Sequence, residues 1–357
     1  MNDIQRCLIE AGIRAPSGDN CQPWKFRLTK ENEIDIYISL ESSESFFDTD
    51  LRATYLSIGA VIENIRIAAA TNDYVIDINY SHNPPASDML AARLKLTRQP
   101  ASAQSDSLLS LYRAMIKRTV NRRPYLPFRL SKKVWEQLQC DIENNDVKLV
   151  CYDKGAKRRK LTQLIRLADI IRWTHPKIHS ELFGVIRYNA VEAEKAKNGL
   201  EIDRLGIGPF SRQIMRFLSS WKRLSMLNSL GLAHLLAGQS AMLAMGSSGL
   251  VGVWINEDTP INWMRGGEVV ERLWVRLQEL KLSVQPLPIG LYLYRRHVLY
   301  GNSGFMDHHI ALLERMNALI SKLQPENQTT GIMLFRVGKA IAMDRTAIRR
   351  PVDDFII

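Results

Sequence analysis

Cysteine is scarce: Cys7, Cys21, Cys140 and Cys151 are the only four in a chain of 357 residues, and no two have paired spacing. So thin a set excludes a disulfide framework and fits reduced thiols, which makes a cytoplasmic location the expectation. Residues 1–12 contain Asp3, Arg6 and Glu10 and lack the uninterrupted apolar run of a secretory signal. The longest apolar window, residues 231–255, is interrupted by His234, Gln239, Ser240, Ser247 and Ser248, which favours a buried helix over a membrane span. Several catalytic signatures are missing: G-x-x-x-x-G-K-[ST], H-E-x-x-H, C-x-x-C and G-x-S-x-G do not occur. Gly206 and Gly208 are followed by Pro209 with no third glycine, so the dinucleotide fingerprint fails as well. His175 and His179 have ligand spacing, but Pro176 lies between them. Neither this pair nor His308 and His309 has a companion set of cysteines or carboxylates, so they read as surface histidines and no metal is expected.

What is present is a globular composition with 46% hydrophobic and 24% charged residues, which rules out a disordered, collagen-like or coiled-coil chain. Lys and Arg number 48 against 37 Asp and Glu, a net charge of +11. That excess suits nucleic acid, an acidic membrane surface, or a phosphorylated cofactor or substrate. The basic run Lys154, Lys157, Arg158, Arg159, Lys160 lacks the interleaved aromatics of a single-strand platform. It reads as a solvated helix face, and no nucleic-acid partner is expected.

Apolar periodicity predicts a helix over 4–13, stopped at Ala15-Pro16, and paired strands at 25–28 and 34–39. A helix over 51–71, capped by Asp50, is apolar nearly all round and should lie in the core. Strands are expected at 75–80 and 93–97, and the polar stretch 100–107 divides the chain near residues 104 and 105. The second part, 105–357, repeats this grammar. A helix starts near Leu108, Ser131 caps another to Ile142, a strand covers 147–152, and basic and apolar helices cover 157–172 and 232–245. Residues 288–294, Pro-Ile-Gly-Leu-Tyr-Leu-Tyr, read as a buried strand. The charged and aromatic segment 174–230 is long enough to be a helical, lid-like insertion.

Four clusters carry chemistry. Ala15-Pro16-Ser17-Gly18-Asp19-Asn20-Cys21-Gln22-Pro23-Trp24 crowds hydroxyl and amide donors into one turn beside an indole, as the edge of a flat polar heterocycle requires. Lys117-Arg118-Thr119-Val120-Asn121-Arg122-Arg123 offers guanidinium pairs and a hydroxyl to a phosphate. Residues 246–255 place Gly249, Leu250, Val251 and Gly252 where backbone can approach a planar ligand. The last cluster is Arg349-Arg350-Pro351.

In this order the four resemble the nitroreductase-like FMN-binding family, whose members carry an A-P-S-x-x-N-x-Q-P-W-like turn, an Arg-x-Ser/Thr-x-x-Arg-type segment, a G-L-G-x-x-I segment and a late Arg-Arg-Pro. The longer chain, with the turn ahead of the phosphate segment, looks like the Acg-like subgroup, in which one polypeptide imitates the family's homodimer. The resemblance implies an α+β fold of two half-domains, 1–104 and 105–357, with antiparallel-rich sheets flanked by helices. It implies one FMN per monomeric chain, held by Ser17, Asn20, Gln22, Arg118, Thr119, Arg122 and Arg349 or Arg350, with the N–H groups of Leu250 to Gly252 at the ring. The implied activity is hydride transfer from NADH or NADPH to a small nitro, quinone or other acceptor. A flavin-sequestering protein with the insertion closed over the ring, and a biosynthetic FMN-dependent oxidase or dehydrogenase, are the alternatives. Asp19 stands where relatives have His or a neutral polar residue, and a carboxylate there disfavours an anionic reduced flavin.

Overall fold

Two long helices, each with a glycine at its middle, organise the molecule. A computed structural model describes every residue except 44, 82–88, 100–105, 143–145, 207 and 209, and the side chains of Asp141 and Ser211. The expected boundary near residue 104 lies outside the described residues. The chain opens with α1 (Asp3–Gly12), β1 (Trp24–Lys30), β2 (Glu33–Ile38), α2 (Arg52–Ala70), β3 (Tyr74–Tyr80) and β4 (Leu90–Arg98). It continues through α3 (Asp106–Lys117), α4 (Lys132–Ile142), β5 (Val147–Tyr152) and α5 (Gly155–Thr174). The segment read as an insertion contains α6 (Pro176–Val185), β6 (Ile186–Arg187), α7 (Ala190–Ala196), β7 (Leu200–Glu201), α8 (Ser211–Leu218) and α9 (Trp221–Ser229). Then come α10 (Leu232–Met245), β8 (Gly249–Ile255), α11 (Pro260–Glu279), β9 (Ser283–Pro286), α12 (Ile289–Tyr300), α13 (Asp307–Ser321) and β10 (Thr330–Gly338).

The architecture is α+β. One four-stranded sheet has the order β1-β2-β4-β3 and the other β5-β8-β10-β9, and every neighbouring pair in both runs antiparallel. The two sheets share one apolar core. Ile34, Leu94 and Phe26 from the first meet Val253, Phe335 and Val284 from the second through Ile58, Ile62, Trp263 and Val270 of α2 and α11. Glu63 and Arg66 of α2 pair across the same seam with Arg272 and Glu268 of α11.

Four expectations are corrected. Residues 289–300 form a helix, because Pro288, at φ −76 and ψ −12, sets the first turn and buries Gly290, Leu291, Leu293 and Arg295 on a helical face. The expected cap of α2, Asp50, lies in a left-handed turn at φ 52, and the first-turn N–H groups of Ala53 (2.7 Å) and Thr54 (3.2 Å) donate instead to the carboxylate of Asp48. His175, His179 and His309 are buried, since each ring nitrogen that meets the protein bonds a backbone or hydroxyl partner. Arg158 leaves the solvated face of α5 and donates to Met245 O (2.8 Å) and Ser247 O (2.7 Å), closing the C-terminal end of α10. The helix α10 is itself packed on a narrow face only: Ala233, Ala237 and Ala244 are buried, whereas Leu235 and Met242 face outward.

Candidate functional site

A cavity of about 800 Å³ opens where the early turn, the end of α3, the insertion and the late tail converge. Its floor is the Ser17–Cys21 turn. The turn is wound tightly enough that Asp19, Asn20 and Gln22 all take positive φ, at 46°, 59° and 55°. Short polar side chains tolerate that region best, and tertiary contacts hold it here. Ser17 Oγ accepts from Gln22 N (2.9 Å), and Asn20 Nδ2 donates to Ile348 O (3.0 Å) while its Oδ1 accepts from Arg349 (2.8 Å).

One side of the cavity is cationic. Arg118, Arg122, Arg204 and Arg349 all line it, with Arg172 facing Asp19. Arg118 is ion-paired with Glu271 (2.8 Å), lies over the Trp274 ring at 4.5 Å, and donates to Arg14 O (2.7 Å). Arg349 donates to Ile13 O (2.8 Å) and Ala15 O (2.9 Å) and touches no carboxylate among the described residues. Burial, reinforced by the neighbouring Arg118 and Arg204 charges, lowers its pKa to about 9. Burial likewise brings Arg122 down to about 10 despite Asp19, with Arg172 and Arg204 adding to the effect. Its guanidinium makes one hydrogen bond among the described residues, of 3.4 Å, to Arg204 O. Arg118 and Arg204 each have a carboxylate, Glu271 at 2.8 Å and Glu201 at 3.9 Å, whereas Arg122 and Arg349 make no ion pair among the described residues, an imbalance that an anion relieves.

The remaining walls are mixed. Asp19 and Asp169 face the cavity, and burial raises both carboxyls. Cys21, also on the wall, is pushed up to about 12 by burial, so it is a thiol and a weak nucleophile. The insertion contributes Ile178, Leu182, Met215 and Leu218, and α10 contributes Leu236, Gln239, Ser240 and Leu243. Opposite them, Leu287, Pro288, Ile289 and Gly290 lead into α12, whose first-turn N–H groups at Ile289 and Gly290 have no acceptor within the helix.

Of the sequence-derived candidates, the structure brings Ser17, Asn20, Arg118, Thr119, Arg122 and Arg349 to one cavity. It does not bring the others. Gln22 is fully buried behind the wall, where its amide donates to Lys197 O (2.8 Å) and accepts from Arg350 N (3.0 Å), binding turn, insertion and tail together. Arg350 donates to Gln22 O (2.7 Å) and lies over the Phe355 ring. Gly249, Leu250, Val251 and Gly252 form a fully buried interior strand, where a Cβ on Gly249 would meet Trp135 at 2.8 Å and one on Gly252 would meet Trp254 at 2.8 Å. Their glycines admit indoles rather than a ligand. Sequence reasoning missed Arg204, Arg172, Asp169 and the 287–290 segment. The Pro-x-Gly of residues 288–290 was the available signal for a helix start, masked by the alternation of Leu and Tyr.

No known family's sequence profile matches the chain. The uncharacterised Mycobacterium tuberculosis protein MT1398 is 26% identical over 332 residues, 92% of this chain and 45% of that protein. Acg of the same species, provisionally named an NAD(P)H nitroreductase, is 23% identical over 182 residues, 51% of this chain and 53% of Acg. The chain thus spans about half the length of these curated relatives. Among solved structures, the FMN-dependent nitroreductase NfnB from Mycobacterium smegmatis, in complex with NADPH, aligns with 69% of this chain and 95% of its own, at 14% identity and a TM-score of 0.35. In sequence, the chain is similar to nitroreductase-like proteins of the Acg kind.

Proposed function

We propose that the cavity holds FMN and that the chain is a flavin-dependent oxidoreductase of the nitroreductase type, using NADH or NADPH to reduce a small nitro, quinone or other acceptor. The supporting observation is the gathering of Arg122, Arg204 and Arg349 at one end of a cavity large enough for a flavin and a second small molecule, where Arg204 has Glu201 at 3.9 Å but Arg122 and Arg349 make no ion pair among the described residues. A phosphate fits that end in charge and in hydrogen-bond geometry. Thr119 is placed to add a hydroxyl, and Ser17 and Asn20 to meet the polar edge of the ribityl chain or ring. In this reading the N–H groups of Ile289 and Gly290, which line the cavity, take the place of those of Leu250 to Gly252 as backbone donors. Bound FMN supplies a carrier that accepts hydride from a nicotinamide and returns it to an acceptor. The chain's contribution is to orient that carrier, keep water out with the apolar insertion, and set the charge around it: helix and arginine positive, Asp19 negative.

In this reading one FMN binds per chain, and the α2–α11 seam stands in for the subunit contact of a homodimer, so the chain acts as a monomeric pseudo-dimer in the cytoplasm. The two half-domains 1–104 and 105–357 would each supply part of the cavity. Flavin sequestration is the second reading, favoured by the insertion's share of the walls and by its tether through Gln22 to Lys197. One experiment separates the two. The protein is loaded with FMN and freed of oxygen, and NADPH or NADH is added while the visible absorbance is followed. Bleaching supports turnover; a yellow protein bleached only by dithionite supports sequestration; failure to take up FMN removes both.

A further inference from the structure

Helices α8, α9 and α10 are apolar on the side away from the cavity as well as on the side that lines it. Met215, Leu236 and Leu243 look inward. On the outside Phe210 is 72% exposed, Leu230 80%, Leu235 72% and Met242 69%. Because α9 packs on both α8 and α10, these residues belong to one continuous layer of three helices. Single exposed apolar side chains need no explanation, but a layer of them does.

The layer's own side chains carry charge of one sign. No Asp or Glu occurs between Asp203 and Glu257, whereas Arg212, Arg216, Lys222 and Arg223 are all exposed. Asp203 meets Arg212 at 3.3 Å. Arg216 and Arg223 lie over the rings of Tyr188 and Phe217 instead of against carboxylates. Long aliphatic and thioether side chains with cations at their margins match the boundary between lipid headgroups and acyl chains.

We propose that the α8–α10 layer docks on an anionic lipid bilayer, its Phe210, Leu230, Leu235 and Met242 entering the boundary region and its Arg216, Lys222 and Arg223 meeting lipid phosphates. No helix among the described residues is long and apolar enough to cross a membrane, so the contact is with one leaflet. A second copy of the chain is disfavoured as occupant, because pairing this face with itself would oppose two sets of arginines and lysines. A bilayer supplies the complementary charge and requires no shape match from flexible Leu and Met side chains.

The test is co-sedimentation of the full chain with vesicles of phosphatidylcholine alone and of phosphatidylcholine mixed with phosphatidylglycerol, at low and high salt. Vesicle binding is read without a flavin, so its outcome is independent of the cofactor proposal. The protein is expected to pellet with the anionic vesicles only, and less so in salt. Arg216→Glu/Lys222→Glu/Arg223→Glu, which alters exposed positions alone, should weaken binding by about a hundredfold. Leu230→Ser/Leu235→Ser/Met242→Ser should weaken it as well while raising solubility. The proposal is overturned if the native chain stays in the supernatant with anionic vesicles, or if the charge-reversed chain pellets equally well. It is also overturned if sedimentation velocity shows a dimer that Leu235→Ser dissociates, which would assign the layer to a second copy.

Discussion

Gly59 of α2 and Gly267 of α11 touch at the helix crossing: a Cβ on Gly59 would stand 1.8 Å from Met264 O, and one on Gly267 would stand 2.0 Å from Leu56 O. Both obstacles are backbone, which cannot rotate aside. Gly59→Ala is therefore expected to spread the two helices and destabilise the protein by about 3 kcal/mol or more, beyond the small helix-propensity gain of alanine. Urea unfolding of the variant against the native chain checks this, and an unchanged midpoint would show that the seam is looser than described.

Arg122 and Arg349 separate ligand affinity from stability. Arg122 makes one long bond to Arg204 O, so Arg122→Met should leave the melting temperature of the flavin-free protein unchanged or raised. The same change should weaken FMN binding by about ten- to a hundredfold through loss of a charged donor. Arg349→Met should lower both, because it strands Ile13 O, Ala15 O and Asn20 Oδ1. The flavin-free site should also lose affinity toward alkaline pH, because burial lowers the pKa of Arg349 and Arg122. Fluorescence titration with FMN across pH and across the two variants reads all of this.

Asp19→Asn probes the charge at the ring. Asparagine is at home at φ 46, so the turn should keep its shape. Removing a carboxylate from beside Arg122 and Arg172 leaves the cavity more positive, which should raise the reduction potential of bound FMN and speed its reduction by NADPH. A potential that stays level or drops in a spectroelectrochemical titration would place the flavin ring away from this turn.

His309, with no exposed surface, lies stacked at 5.5 Å from His175 and is lowered to about 3 by burial, with His308 and His175 adding to the shift. The unfolded ring takes its proton near 6.5, so between those values the unfolded state binds more protons and stability falls as pH drops. From pH 7 to pH 5 the loss attributable to this ring is about 2 kcal/mol. His309→Gln should flatten the pH dependence of the urea midpoint over that interval, and an equal slope in both proteins would point to other groups.

Much of this was legible in the sequence. The all-round apolar character of α2 announced a core helix, and alternation marked the four strands of the first sheet and β5 of the second, whereas β8 and β10 are buried along almost their whole length and carry no alternation to read. The clustering of Ser17, Asn20, Arg118, Arg122 and Arg349 was visible because donors and cations of that density have little use in a core. What was not legible has a common cause: tertiary partners decided it. Arg158 has the sequence look of a solvated cation but finds the open carbonyls that end α10. Gly249 and Gly252 look like ligand approaches but make room for Trp135 and Trp254. The alternation at residues 289–294 suits a strand until Pro288 fixes the first turn of a helix. The outward Leu and Met residues of α10 carry the same hydropathy as buried ones, and nothing local says which side the protein leaves open.

The tail that carries Arg349 and Arg350 has a consequence for assembly in time. It reaches back across 329 positions of chain to grip Asn20, and Ile356 pairs with Phe26 beyond it. During synthesis the turn emerges early and waits, with three residues in left-handed conformations that Ser17 holds locally and that the tail and Lys197 fasten later. The cavity floor therefore cannot set until residues 345–356 have left the ribosome. Contacts of such long sequence separation form late and slowly. The binding site should thus be the last part of the molecule to mature, and nascent chains halted before residue 345 should hold a folded first sheet yet retain no ligand.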